Sequence, residues 1–570
     1  MPDHLPGDAF DIVVVGGGSA GCVLASRLSE NPATRVLLVE AGRDLPPGQE
    51  PAAILDTDPR AAYTDPVNLW PGLKVRTVAG SAPRPYEQAR LIGGGSSING
   101  QMANRGAPRD YDAWRDAGAA GWGWDDVLPV FRRIERDLDF DGPAHGRDGP
   151  IAVRRIFPAH WPEHALALAQ AFAADGYPYA DDQNAGFADV HHPVAIANED
   201  DRRCSAAMAY LGAAVRRRPN LHILTDTLVS GLRFDGPRVD GAVLNRAGAE
   251  RAVRARTVVL CAGALHTPAL LLRAGLGPGD ELAALGIPVR ANLPGVGRNL
   301  QEHPAVGVSA YLPPHARLPA TVRRAAVLAM RYSSGLSGCP PGDMHGFVIS
   351  RSAWHPVGAR LGTVSIRLDH VYSRGTVRLA SPDPGAPPLV DLNFFDDERD
   401  LLRLADGVRR AARWHEHPAV RACAFDPFPS SYSRRVREMA RMNWRNRVLT
   451  ALLAVVLDSP WRRPAIERVI TRGVTLRQLL DDDSALHAFV REMAAGTWHV
   501  SGTCRMGAAD DPGAVTDPQG RVRGVPGLYV ADASLMPVLP SGNTNLPTLM
   551  VAERIAEAVR AGSRGREAGA

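Results

Sequence analysis

Unbroken runs of β-branched residues, rather than alternating ones, are the strongest pattern in this chain. Asp11–Val15 (DIVVV) and Val36–Val39 are apolar almost throughout, as expected of strands covered on both faces in a parallel sheet. Between them, Ala20–Leu28 carries its apolar residues at helical spacing. Strand, helix, strand in that order predicts an α/β domain. The same pattern returns at Thr257–Cys261 with a helix-patterned run His266–Ala274, and at Leu528–Val530 with Leu549–Val559 behind it. Because these units lie at both ends and in the middle, the domain must be discontinuous: residues 1–155, 200–310 and 500–570. Residues 156–199 and 311–499 form a second domain, in which Ser365–Leu368 and Thr376–Leu379 read as strands. Ala561–Ala570 reads as a frayed tail.

Length and composition agree with two packed domains. At 570 residues the chain exceeds one ordinary core, and its 45% hydrophobic and 22% charged residues are those of a soluble globular protein. A formal net charge of +4 gives no case for nucleic acid. Lys74 is the sole lysine, so the basic charge is nearly all arginine. The cysteines Cys22, Cys204, Cys261, Cys339, Cys423 and Cys504 are dispersed, which suits a reduced cytoplasmic protein with no metal site. No basic region followed by an apolar core precedes the first strand, so no signal peptide is expected.

The longest lipophilic stretch, Val448–Leu457, has about half the length of a membrane span. It lies within 434–472, where ten arginines face only Glu438, Asp458 and Glu467, a net of +7. Two readings fit this segment. A helical insertion can cover the substrate entrance with a solvated basic face, which is the simpler expectation. Alternatively, a basic, Trp-bearing segment can rest on an anionic membrane surface as a peripheral contact and reach a lipid quinone.

The chemistry begins where the first strand ends. Gly16-Gly17-Gly18-Ser19-Ala20-Gly21 fits G-x-G-x-x-G, with glycines for close backbone approach and a helix N-terminus for a pyrophosphate. Glu40, at the end of the second strand, stands nineteen residues after Gly21 and can accept bonds from an adenosine ribose. This constellation predicts a dinucleotide without separating FAD from NAD. Further along come Ala89–Gly100 (ARLIGGGSSING), able to approach a planar ring, and Leu528–Ser534, a strand ending in Asp532. Asn543-Thr544-Asn545-Leu546-Pro547-Thr548 opens a helix whose N-terminus suits negative charge on a reduced flavin.

With GGGSAG at 16–21, ARLIGGGSSIN at 89–99, GALHTPALLLRAGLG at 263–277, PGVGRNLQEH at 294–303, HVSGTCRMG at 499–507 and NTNLPT at 543–548, the chain resembles the glucose–methanol–choline (GMC) oxidoreductases over nearly its whole length. Ala274 departs from the second signature, where Ser is common. YEQARLIGGGSSINGQMANRGAPRDYDAW at 86–114 and Gly121–Trp124 resemble the hydroxymethylfurfural oxidase-like branch, and the Asn-x-Asn-x-Pro-Thr ending is shared with the choline dehydrogenase-like branch. The resemblance implies a Rossmann-type FAD domain with an α+β substrate cap built on an antiparallel sheet. It implies FAD held by Gly16, Gly18, Ser19, Ala20, Gly21, Glu40, Ala41, Arg90, Gly94, Gly95, Ser96, Asn99, Gly100, Val229, Ala262, Asp532, Ala533, Asn543 and Thr544. Ile98 occupies the position where some members attach FAD through His, which implies non-covalent binding.

By the same resemblance His499 is the catalytic base and Asn543 its partner on the substrate hydroxyl. The residue types agree, since imidazole titrates nearest neutrality and an amide orients an oxygen without titrating. Trp498 offers a flat pocket wall for an aromatic substrate. His303 is expected to support the cofactor domain, and His191-His192-Pro193 to form a loop rather than a metal pair. The implied activity is oxidation of a primary aryl or furanic alcohol, such as hydroxymethylfurfural, with O2 as acceptor. The alternatives are a choline dehydrogenase-like enzyme passing electrons to a quinone, a lyase or decarboxylase on the same fold, and a catalytically silent flavin carrier.

Overall fold

The computed structural model describes residues 7–430 and 433–567. Strand β1 (Ala9–Val15), helix α1 (Ser19–Leu28) and strand β2 (Val36–Val39) open the chain. Strand β3 (Val190–Pro193) is followed by β4 (Leu221–Leu224), β5 (Leu228–Asp235), β6 (Arg238–Arg246), β7 (Ala249–Leu260) and helix α2 (Gly263–Arg273). Next come β8 (Pro304–Tyr311), β9 (Ala326–Tyr332), β10 (Met344–Ile349), β11 (Leu361–Leu368), helix α3 (Glu398–His415) and β12 (Phe425–Pro429). Helices α4 (Arg434–Ala440) and α5 (Trp444–Leu457) follow, then β13 (Ala495–Gly496), β14 (Leu528–Val530) and helix α6 (Asn545–Glu567).

The first sheet runs β4-β2-β1-β7-β6-β5, with β14 also on β7. Its β4, β2, β1, β7 and β14 are mutually parallel, and residues 12–15 and 36–39 pair in direct register. Val13, Val14, Val36, Leu37 and Leu38 are wholly buried, which is why these segments read as unbroken apolar runs. α1 and α6 cover one face through Val23, Leu24, Leu549, Val551 and Ile555. The distant third segment thereby completes the domain begun by the first.

The second sheet, β12-β8-β11-β10-β9-β3 with β13 on β8, is antiparallel throughout. Buried Val306, Val308, Val364, Ile366, Val348 and Met330 face α3, whose Leu401, Leu404, Ala405 and Val408 close that core.

Four details differ from the sequence reading. β8 begins at Pro304, so the last residues of the 200–310 segment pair with the antiparallel sheet. Thr376–Arg378 joins a separate four-stranded sheet with 389–391, 74–76 and 84–85. His191 and His192 lie buried on strand β3 rather than in a loop, because Val190–Pro193 pairs with β9. α6 continues through Ala561 to Glu567 instead of fraying, while residues 568–570 of the expected tail lie outside the described residues.

Candidate active site

At the carboxyl ends of β1 and β7 the parallel sheet opens into a cleft. Gly16, Gly18, Ser19, Ala20, Glu40, Ala41, Arg90, Gly94 and Gly95 line it, joined by Val229, Ala262, Asp532 and Ala533. Gly16 has φ +98°, and a Cβ there would meet the Cys261 carbonyl oxygen at 2.6 Å. A Cβ on Gly18 would have no neighbour nearer than 3.9 Å, so that glycine leaves room for a group lying against the backbone. The Glu40 carboxylate accepts the Gly17 and Gly42 N–H groups at 2.7 Å each, and burial pushes its pKa up to about 7. Asp532 accepts from Gly263 N–H (2.8 Å) and Thr267 Oγ1 (2.6 Å), locking β14 to the start of α2.

Six predicted cofactor residues stand away from the cleft lining. Gly21 is needed for packing, since a Cβ there would lie 1.9 Å from the Gly16 oxygen. Ser96 Oγ donates to the Gly93 carbonyl and accepts from Ala206 N–H, while Asn99 Oδ1 accepts from Gln101 N–H and Arg203 Nη1. The Gly100 carbonyl accepts from Arg324, and Thr544 offers its carbonyl to the first turn of α6. Asn543 belongs to a second constellation.

That constellation has His499 at its centre. Gln301 and Ser501 exchange both backbone hydrogen bonds at 3.0 Å, laying 497–503 alongside the entry to β8. Buried Glu302 accepts the N–H groups of His303 (2.8 Å) and His499 (2.9 Å), and takes a hydrogen bond from Tyr86. Burial pushes the Glu302 pKa up to about 7. Trp498 is held in the left-handed region at φ +62°. Its ring lies between Tyr63 (6.5 Å) and Tyr86 (6.4 Å), with Nε1 donating to Glu87 at 3.2 Å.

His499 Nε2 is 2.9 Å from Asn543 Nδ2. Its Nδ1 is 2.9 Å from Thr497 Oγ1 and 3.0 Å from His303 Nδ1. Thr497 Oγ1 donates to the His303 carbonyl at 3.2 Å, so it is free to accept from His499. This assigns the hydrogen to Nδ1 and leaves the Nε2 lone pair pointing at Asn543. Burial first, then the Arg367 and His303 neighbours, hold the His499 pKa well below its ordinary value, so the ring is neutral at neutral pH. Asn543 is fixed in turn: its N–H donates to Asn104 Oδ1 at 2.6 Å, and Arg367 Nη1 reaches its Oδ1 at 3.4 Å. Arg367 is buried and held by Asp369 at 2.8 Å, which also takes His345 Nδ1 at 3.1 Å. Ser19 Oγ donates to Asn545 Oδ1 at 2.8 Å, tying the loop that carries Asn543 to the head of α1.

Sequence reasoning missed Glu302, Thr497, Arg367 and Tyr86, and it gave His303 to the cofactor domain. The structure instead places His303 against His499. Burial, with Arg367 adding to it, pushes the His303 pKa down to about 3, so the ring is a neutral neighbour. Its place directly before a strand and four residues from Asn299 gave no sign of which sheet it would join. Among the described residues one cluster has the makings of a metal site: Glu135, Asp137 and His145. Arg105 pairs there with Glu135, and Arg155 with Asp137 at 2.9 Å, both guanidinium groups wholly buried. The carboxylates are thus already neutralised, and the cluster is a structural ion-pair network.

Residues 10–305 match the N-terminal model and residues 371–552 the C-terminal model described as GMC oxidoreductase. The chain belongs to the GMC oxidoreductase family. As a member it is an FAD-dependent oxidoreductase acting on alcohols, and the glycine cradle with Glu40 fits that cofactor. It is 42% identical over 563 residues to 5-(hydroxymethyl)furfural oxidase of Methylovorus sp. strain MP688, covering 96% of this chain and 98% of that one. Oxygen-dependent choline dehydrogenase of Burkholderia pseudomallei (strain 1710b) is 33% identical over 596 residues, covering 97% and 94%. Among solved structures, pyridoxine 4-oxidase from Mesorbium loti superposes with a TM-score of 0.78 at 29% identity, over 96% of this chain and 98% of that one.

Proposed function

We propose that this GMC oxidoreductase oxidises primary aryl or furanic alcohols to aldehydes with His499 as the base, and that molecular oxygen is the acceptor. The observation that carries the reading is the 2.9 Å approach of His499 Nε2 to Asn543 Nδ2, with the ring hydrogen committed to Nδ1. An alcohol oxygen that displaces the Asn543 amide from Nε2 and stays within reach of both groups loses its proton to Nε2 and keeps a hydrogen bond from the amide. Gly16, Gly18, Glu40, Gly94 and Gly95 of the cleft would hold FAD, which would supply the hydride acceptor for the same carbon and the route for two electrons to O2, with hydrogen peroxide as the product. Glu302 holds the peptide of His499, Thr497 fixes its tautomer, and Arg367 keeps the Asn543 amide facing it. The likeness to 5-(hydroxymethyl)furfural oxidase supports a flat furanic substrate, and Trp498, next in the chain to His499, packs with Tyr63 and Tyr86 into an aromatic cluster that suits one.

The parallel sheet serves as the FAD domain and the antiparallel sheet as the substrate cap. FAD is held without a covalent bond from position 98, where Ile98 packs among Leu45, Ile54 and Leu91. All six cysteines are free, which supports a reducing cytoplasmic location.

A second reading is a choline dehydrogenase-like enzyme passing electrons to a quinone. The same three rings, with Glu87 beside them, also suit a cationic headgroup. A peroxide-coupled assay with hydroxymethylfurfural, benzyl alcohol and choline separates the two. Peroxide formation with the first two and not with choline supports the main reading; turnover of choline alone overturns its substrate class.

A further inference from the structure

Helix α5 is apolar on both sides. Thr450, Ala454 and Leu457 are buried, and the last two pack on Tyr311, Leu361 and Phe428. The opposite side carries Val448, Leu449, Leu452 and Val455, exposed by 51%, 54%, 64% and 68%. Their helical spacing makes one continuous stripe. Trp444 at the head of the helix is 75% exposed, and Trp461, just past its end, is 71% exposed. Single exposed apolar residues are ordinary, but a contiguous patch of this kind marks a surface that meets something apolar.

The charges around the patch say what that partner is. Arg445 and Arg447 sit in the first turn of α5, the end at which the helix dipole disfavours cations. Among the described residues neither pairs with a carboxylate, nor do Arg468 and Arg472 beyond the helix. The acids of the segment are spent elsewhere. Glu438 pairs with Arg434, Glu467 with Arg463, and Asp458 turns inward to Tyr311 (2.9 Å) and Arg360 (2.8 Å). A second copy docking on this patch would bring unpaired arginines against unpaired arginines, which disfavours self-association.

We infer that α5 and its flanks form a peripheral docking platform for an anionic lipid bilayer, with the apolar stripe in the interface and the free arginines on lipid phosphates. Fourteen residues span about 21 Å, too short to cross a hydrocarbon core of about 30 Å, so the helix lies in the surface plane. Tryptophans at both ends sit at headgroup depth.

The test uses full-length, FAD-loaded enzyme floated with phosphatidylcholine vesicles and with one-to-one phosphatidylcholine–phosphatidylglycerol vesicles. At low salt the enzyme floats with the anionic vesicles and stays behind with the neutral ones. The Leu452→Ser/Val455→Ser pair lowers the bound fraction at least about tenfold. Arg445→Gln and Arg447→Gln each weaken binding about fivefold. Turnover of a soluble alcohol is unchanged in every variant. Wild-type enzyme left in the aqueous phase with anionic vesicles at low salt overturns the inference. A concentration-dependent dimer that Leu452→Glu dissociates, without flotation, overturns it in favour of self-association.

Discussion

Asn543 has two amide atoms of nearly equal size, and only its surroundings decide which one faces the substrate. Arg367 has no acceptor to offer, so the atom at 3.4 Å from its Nη1 must be Oδ1, which turns Nδ2 towards His499. Arg367→Met removes that constraint, and the rate of flavin reduction falls about tenfold to a hundredfold while flavin content holds. A rate equal to wild type in anaerobic stopped flow contradicts this positioning role. His499→Ala costs more, about a hundredfold to ten-thousandfold in the same experiment, because the proton then has no acceptor. The pH profile carries a sign of its own. Burial holds the His499 pKa well below 6.5, so the base stays neutral and the reduction rate stays level as pH falls through 6.5. A profile that loses half its rate at or above that pH argues that another group is the base. His499, Asn543 and the glycines were legible because each sits in a local motif. Arg367, Thr497 and Glu302 were not, because their roles come from the pairing of β8 and β11 and from the bridge between Gln301 and Ser501, contacts that no short window contains.

At the scale of elements, the β1–α1–β2 unit was readable almost residue for residue, because strands buried on both faces declare themselves as unbroken apolar runs. The antiparallel sheet was less so. Only β11 was anticipated within it, and His191–His192, weighed as a metal pair and read instead as a loop, lies on β3 through a pairing with β9 that is remote in sequence. The cofactor cleft yields two predictions. In Gly21→Ala the new methyl would meet the Gly16 oxygen at 1.9 Å, so α1 must shift from β1. The cost is about 1–3 kcal/mol of stability, with loss of bound FAD, measured by flavin absorbance and thermal melting. Glu40 has a pKa raised to about 7 by burial, and ribose hydroxyls donating to it would favour its ionised form. FAD affinity therefore weakens as pH falls below about 7, by up to about tenfold per pH unit. Flavin fluorescence released on dilution at several pH values reads this directly, and Glu40→Gln flattens it.

Across the whole molecule, the Arg105–Glu135–His145–Asp137–Arg155 network ties the segment after the second glycine-rich stretch to the strands near residue 150. Burial opposes charging His145, but the carboxylates of Asp137, Asp182 and Glu135 outweigh it and raise its pKa to about 10. The folded pKa lies above the unfolded one, so this contribution is full below pH 6.5 and is lost as pH rises towards 10. Melting temperature therefore declines across that range, and less so in His145→Gln, where a neutral ring-sized donor replaces the cation. The basic insertion at 434–472 was visible in composition alone, yet its apolar outer face was not, because an apolar helix reads the same whether it faces a core or water.

The proposed function requires that an alcohol reduce the flavin at the His499–Asn543 pair and that oxygen take the electrons back. The direct measurement is anaerobic bleaching of the flavin by hydroxymethylfurfural, followed by admission of air. Bleaching, then rapid return of the yellow colour with one peroxide formed per flavin, is the predicted result. Bleaching that persists in air contradicts oxygen as the acceptor, and no bleaching with any aryl alcohol contradicts the chemistry assigned to the site.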